Sequence, residues 1–170
     1  MSNAITRVLF VCTGNICRSP LAEAMLRTEL ERRGVESWFE VESAGTDAYH
    51  VGEPADTRMR AVARRHGIEV RTRSRRITRA DLDAYDYLFA MDAGHYRSLR
   101  HLARDASIEK KIVMFRTHDP EVVTQMVGDR LCPDVPDPWY GGIDGFERVY
   151  EIVSRTCVQI ADALLNSHDD

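Results

Sequence analysis

The chain has 170 residues, with 23 basic against 27 acidic side chains and a net charge of -4. That length suits one domain with a real core, residues 1–170, and the acidic balance argues against a generic nucleic-acid binder. No stretch reads as a membrane span or a secretory leader, and the cysteines at 12, 17, 132 and 157 lack zinc-ligand spacing. The expectation is a cytoplasmic chain with reduced thiols, no metal, no cofactor, no nucleic-acid partner and no membrane insertion.

In chain order, Arg7-Val8-Leu9-Phe10-Val11 reads as a strand buried on both faces. A tight loop follows, and Pro20 fits the first turn of a helix over 20–33, where a missing N–H costs nothing. Its inner face is read as Leu21, Ala24, Met25 and Thr28, and Gly34 closes it. Residues 35–43, with Trp38, Phe39 and Val41, read as the second strand, and 43–56 as a loop bounded by glycine and proline. A helix from 54 or 55 to 66 carries the charge pattern of a solvated face.

The segment 71–79 holds five arginines and reads either as a docking patch for phosphate or acidic partners or as a solvated turn. Thr78 and Asp81 can cap a short helix. Residues 87–91 form the third strand, 92–102 a helix, 112–115 the fourth strand, and a short helix falls in the 120s. Residues 134–142 are too rich in proline and glycine for anything but a loop. The last helix has the clearest period, at Phe146, Val149, Tyr150, Val153, Cys157, Ile160, Ala161 and Leu164, with Asp144 and Glu147 as its capping box. Strands alternating with helices give an α/β fold: three α/β/α layers around a parallel sheet, with ligands at the carboxyl ends of the strands.

The loop after the first strand, Cys12-Thr13-Gly14-Asn15-Ile16-Cys17-Arg18-Ser19, therefore stands at a helix N-terminus, where backbone N–H groups and the dipole favour an anion. It lacks the second glycine and the lysine of a nucleotide-binding loop and begins instead with a thiol. A free thiol is only a few per cent ionised at neutral pH, so a nucleophile needs its thiolate stabilised. A helix dipole supplies only about 0.3–1 kcal/mol, which leaves the loop amides, the Ser19 hydroxyl and the Arg18 charge to supply the rest. The planar fork of Arg18 can also grip two phosphoryl oxygens.

The string Cys12-Thr-Gly-Asn-Ile-Cys-Arg-Ser-Pro20 resembles the signature of the low-molecular-weight protein tyrosine phosphatases, and the resemblance extends over nearly the whole chain. It implies a four-stranded sheet in the order 2-1-3-4. It also implies Cys12 as nucleophile, residues 13–18 as the phosphate cradle (Thr13, Gly14, Asn15, Ile16, Cys17, Arg18), and Asn15 in a left-handed conformation. Ser19 would support the thiolate, and the Asp137-Pro138-Trp139-Tyr140 segment would provide the general acid, Asp137. That carboxyl lies between two prolines, and its aromatic neighbours are expected to shield it from water. Without the cysteine loop, it would read as a capping residue in a surface turn.

Tyr49, Trp139 and Tyr140 would wall a slot for a phenyl ring, although each is also readable as core packing. Ile16 favours the tyrosine branch over a related phosphoarginine branch that carries threonine there. Cys17 is readable as a filler thiol or, in the family, as a redox partner of Cys12.

Implied partners are tyrosine-phosphorylated proteins, such as a bacterial tyrosine kinase or a host protein, met by a monomer or weak dimer. Relatives carry histidine where Thr72 stands, so Thr72 or His66 is left to serve the network behind the loop. Trp139 replaces one of two regulatory tyrosines of animal relatives, so that regulation does not transfer. A thiol-dependent arsenate reductase would need two more redox cysteines, and positions 75–100 contain none. A binding or redox-sensing module without turnover would need neither Asp137 nor Ser19.

Overall fold

The computed structural model describes residues 4–123 and 132–169. β1 (Thr6–Cys12) lies between β2 (Phe39–Gly45) and β3 (Tyr87–Ala90), and β4 (Ile112–Met114) completes a parallel sheet ordered β2-β1-β3-β4. This is the order expected from the resemblance. The register pairs Cys12 with Gly45 and Val11 with Ala90, so the first three strands end at a common level.

Alternation along β1 explains its unbroken apolar run. Val8, Phe10 and Cys12 face one core, while Leu9 and Val11 face another. The first core is covered by α1 (Arg18–Arg32), α2 (Thr57–Arg65) and α7 (Ile143–Asp169), and it stacks Phe10 on Phe89 at 5.4 Å and edges Phe10 against Phe115 at 5.8 Å. The second core is covered by α3 (Arg79–Ala84), α4 (Ala93–Leu102) and α5 (Ala106–Glu109). A residue on the first face at the end of β1 points toward the N-terminus of α1, and that residue is Cys12.

Several boundaries differ from the sequence reading for local physical reasons. Trp38 falls in a 3-10 turn, Glu36–Trp38, and stacks on His168 at 5.1 Å, so β2 starts at Phe39 rather than at residue 35. In α1 Leu21 and Ala24 face the core as expected, with Met25 packed at its edge and Ala22, Leu26 and Leu30 added to it; Thr28 is exposed and its hydroxyl donates to the Ala24 carbonyl. α2 is not wholly solvated, because Met59, Val62 and Ala63 are buried, and Asp56 caps it by accepting from the amides of Arg58 and Met59.

α5, capped by Asp105, was not expected, since four residues carry little periodicity. α7 already begins at Ile143, which puts Asp144 within its first turn rather than at a cap, and Glu147 instead binds Arg65 and His66. The Thr78–Asp81 capping box forms as expected. α6 (Pro120–Val123) opens the expected helix of the 120s, and the rest of that segment lies outside the described residues.

Candidate active site

The loop between β1 and α1 is held by its carbonyls. Those of Cys12, Thr13, Gly14 and Ile16 accept from Thr46 N, Asp47 N, Ser74 Oγ and Asp56 N at 2.7–3.0 Å. With the carbonyls turned to the body of the protein, the N–H groups of residues 13–17 meet no acceptor among the described residues. Five free donors at a helix N-terminus form a nest for an anion.

Asn15 is the one non-glycine with a positive φ among the described residues, at 55°, a conformation Asn adopts at low cost. Gly45, beneath the loop, leaves no room for a side chain: an ideal Cβ there would sit 2.6 Å from the Thr13 carbonyl oxygen.

Behind the loop runs a hydrogen-bond chain whose direction is fixed at each link. The Asn15 side-chain amide donates to Ser19 Oγ and to Ser43 Oγ, both at 2.9 Å, and its oxygen accepts from Arg75 N at 3.0 Å. Ser43 then donates to one Glu23 carboxylate oxygen, and Thr72 donates to the other. Because the Ser19 oxygen already accepts from Asn15, its proton is free to point at Cys12 Sγ, 2.9 Å away. Thr72 therefore serves this network through Glu23, while His66 lies elsewhere, stacked on Tyr150 at 3.9 Å. Glu23 and Ser43, both buried, are members that sequence reasoning missed.

Arg18 is 3% exposed, and its Nη1 donates to Asp92 Oδ2 at 2.9 Å and to the Val135 carbonyl at 3.0 Å. Burial alone would push the Asp92 carboxyl up, but the His95 N–H and Arg18 outweigh it and hold it below the ordinary carboxylate range. His95 is buried, and that burial lowers its pKa to about 4, so the ring is neutral at pH 7. Its Nδ1 accepts from Asp92 N, which assigns the proton to Nε2; this donates to Thr13 Oγ1 at 2.8 Å. Asp92 was legible only as a helix start, and His95, which reads in the sequence as a surface or rim histidine, is buried instead. Their reciprocal cap is the signal, with histidine in the third helical position where Glu or Gln is usual.

Val135 also anchors the 134–142 loop, since it is fully buried and its amide donates to the Met91 carbonyl at the end of β3 at 2.8 Å. Two residues on, Asp137 Oδ2 lies 3.7 Å from Arg18 Nη2, while Oδ1 accepts from Trp139 N at 3.0 Å. One oxygen of Asp137 thus caps its own turn while the other faces the loop. The shielding expected from its aromatic neighbours is not seen: its side chain is 44% exposed, because the aromatics stand around the cleft rather than over the carboxyl.

Tyr49, Trp139 and Tyr140 line the same cleft of about 220 Å³ as Cys12, Arg18 and Asp137. None of the three is in the core, and Tyr140 is 91% exposed. Arg58 lies over the Trp139 ring at 5.3 Å and braces that wall. Ile16 and Cys17 also line the cleft; burial, with Asp56 adding to it, pushes the Cys17 thiol well up, and no cysteine is bridged. Among the described residues, no group of three His, Cys, Asp or Glu side chains is placed to hold a metal ion, and no helix is long and apolar enough to cross a membrane.

The sequence profile of the low molecular weight phosphotyrosine protein phosphatases matches residues 7–169. The chain belongs to this family. A low molecular weight protein-tyrosine-phosphatase of Streptomyces coelicolor is 46% identical over 158 residues, 93% of each chain. The crystal structure of YfkJ from Bacillus subtilis is 34% identical with a TM-score of 0.84, covering 98% of this chain and 99% of that one. A protein tyrosine phosphatase from Entamoeba histolytica with Hepes in the active site is also 34% identical with a TM-score of 0.84, covering 95% and 98%.

Proposed function

We propose that this phosphatase hydrolyses phosphotyrosine in proteins through a phosphocysteine on Cys12. The observation that carries the reading is one cleft holding three groups: a thiol within 2.9 Å of a hydroxyl free to donate, a buried arginine, and a carboxyl 3.7 Å from that arginine. In the first step Cys12 thiolate attacks phosphorus in line; the sulfur–phosphorus bond forms, the ester bond breaks, and Asp137 delivers its proton to the departing phenolate. Arg18 and the free amides of the loop hold the equatorial oxygens as negative charge spreads onto them. In the second step water attacks phosphorus, Asp137 takes its proton, and the thiolate leaves toward the Ser19 hydroxyl as phosphate is released.

Asp92 holds Arg18 from behind, which orients the fork toward the loop rather than toward solvent. Tyr49, Trp139 and Tyr140 supply aromatic faces for the ring of the substrate, a depth that phosphoserine does not span. Ile16 presents an apolar surface to that ring.

Cys17 is assigned as the thiol that rescues an oxidised Cys12. Peroxide oxidises the Cys12 thiolate to a sulfenic acid, and Cys17 sulfur displaces its hydroxyl as water to form the disulfide. Burial keeps the Cys17 thiol protonated at rest, and that proton leaves with the displaced hydroxyl.

Turnover of an aryl phosphate, phosphotyrosine, phosphoserine and phosphoarginine tests the reading, with Cys12→Ser and Asp137→Ala in parallel. Activity on the first two only is expected. It falls to background in Cys12→Ser and by about 10²–10⁴-fold in Asp137→Ala. Full activity in Cys12→Ser, or phosphoarginine as the preferred substrate, would overturn it.

A further inference from the structure

A second cavity, of about 730 Å³, opens on the other side of the phosphate loop, and Thr13 belongs to the rim of both. Two rigid elements build it. Arg76 sits on a segment locked to the end of β2, where Gly45 N donates to the Arg75 carbonyl and Ile77 N to the Gly45 carbonyl, both at 2.8 Å. Arg97 and His101 project one helical turn apart from α4.

The arginine-rich segment thus divides. Arg73 donates to the Gly52 carbonyl, Arg75 pairs with Asp81 and Glu42, and Arg76 is the one arginine of 71–79 that lines this cavity. Arg76 and Arg97 are exposed, and neither has a carboxylate partner among the described residues. The carboxylates on the lining are Asp92, which Arg18 and His95 already engage, and Asp47. Two guanidinium groups against Asp47 leave an excess of one positive charge, in a chain that is acidic overall.

We propose that this groove is a second recognition site of the same enzyme, taking the carboxylate of a Glu or Asp that flanks the phosphotyrosine in the protein substrate. The inference rests on the phosphatase reading, because the first site fixes the peptide. An extended peptide advances about 3.3–3.6 Å per residue, so one anchored by its phosphotyrosine and crossing Thr13 brings a residue a few positions away over Arg76 and Arg97. A single excess positive charge matches a monoanionic carboxylate better than a second, dianionic phosphate. Partial solvation makes the groove a contributor to substrate choice and encounter rate rather than to tight binding.

The test uses phosphotyrosyl peptides in which each of the three positions on either side is Gln, Glu or Lys in turn, plus one with a second phosphotyrosine. Values of kcat/KM are measured at low and high salt for wild type, the Arg76→Gln/Arg97→Gln double variant and Arg97→Glu. Wild type is expected to favour Glu over Gln about 3- to 10-fold in at least one position, less at high salt. The double variant loses that preference while hydrolysing a small aryl phosphate within about twofold of wild type, and Arg97→Glu shifts the preference toward Lys.

Absence of a Glu preference in wild type, or its survival in the double variant, overturns the groove; so does an advantage confined to the doubly phosphorylated peptide. Failure of wild type on the aryl phosphate is a different result and overturns the phosphatase reading itself. Peptide binding to Cys12→Ser, read by fluorescence anisotropy, keeps the two apart, since it reports the groove without turnover.

Discussion

Gly45 offers a direct test of how the loop is held. Replacing it with alanine puts a Cβ 2.6 Å from the Thr13 carbonyl oxygen and 3.2 Å from Asn15 N, both backbone atoms that no rotamer change can move. The closest ordinary approach of carbon to a carbonyl oxygen is about 3.3 Å, so the loop or the end of β2 must shift by about 0.7 Å. Thr13 follows the nucleophile directly, and Asp47 N and the His95 ring also bear on it.

A misplacement of 1 Å costs up to about 10²-fold in rate, so a shift of about 0.7 Å predicts a 10- to 50-fold fall in kcat/KM, roughly 1.4–2.3 kcal/mol. Overpacking of this kind also costs about 1–3 kcal/mol of stability, which for a chain of this size lowers Tm by about 2–12 °C. The assay is aryl phosphate turnover at a temperature well below both melting points, with Gly145→Ala as control. An added Cβ there meets nothing nearer than Pro138 Cα at 4.0 Å. A Gly45→Ala enzyme that is folded and within twofold of wild type would refute the argument that this contact sets the loop.

Asp92→Asn removes the charge that holds Arg18 and is expected to lower kcat/KM about 10- to 100-fold with the fold intact, measured by steady-state kinetics beside circular dichroism. His95 carries a stability prediction. Its pKa falls from about 6.5 in the unfolded chain to about 4 when buried, so the unfolded state binds a proton that the native state refuses. Native stability is then complete above about pH 6.5 and lost as pH falls toward 4, by roughly 2–3 kcal/mol.

Urea titrations across that range are expected to flatten in His95→Gln, leaving a smaller slope from His118, which burial also lowers. An unchanged slope would count against the neutral ring. Asp119 is fully buried and held by Arg116 and Arg155. Asp119→Ala leaves Arg116 without its carboxylate and Arg155 with Glu121 alone, and is expected to cost about 1–3 kcal/mol in denaturant unfolding. Peroxide inactivation reversed by dithiothreitol in wild type, but not in Cys17→Ser, is the outcome expected if Cys17 traps the oxidised nucleophile.

Much of this protein is local and therefore legible in its sequence. The apolar run of β1, the loop from Cys12 to Ser19 and the proline in the first turn of α1 specify strand, turn and helix within twenty residues. The loop chemistry follows from which residue types stand there. The period of α7 and the prolines around Asp137 are equally local signals. Boundaries slipped where a neighbour outweighed propensity: Trp38 left the strand for a stack on His168, and Glu147 left its presumed cap for Arg65 and His66.

What only the tertiary structure decided is the set of long-range contacts, for which sequence carries no period or spacing. Asp92 reaches Arg18 across 74 positions and Thr72 reaches Glu23 across 49. Gly45 meets the loop because β2 and β1 run in parallel register, and Val135 sets Asp137 opposite Arg18 by hydrogen-bonding to the end of β3. A parallel sheet brings the ends of distant strands to one edge, so residues far apart in the chain become neighbours there. Their chemistry is written in the sequence, and their partnership is fixed only by the fold.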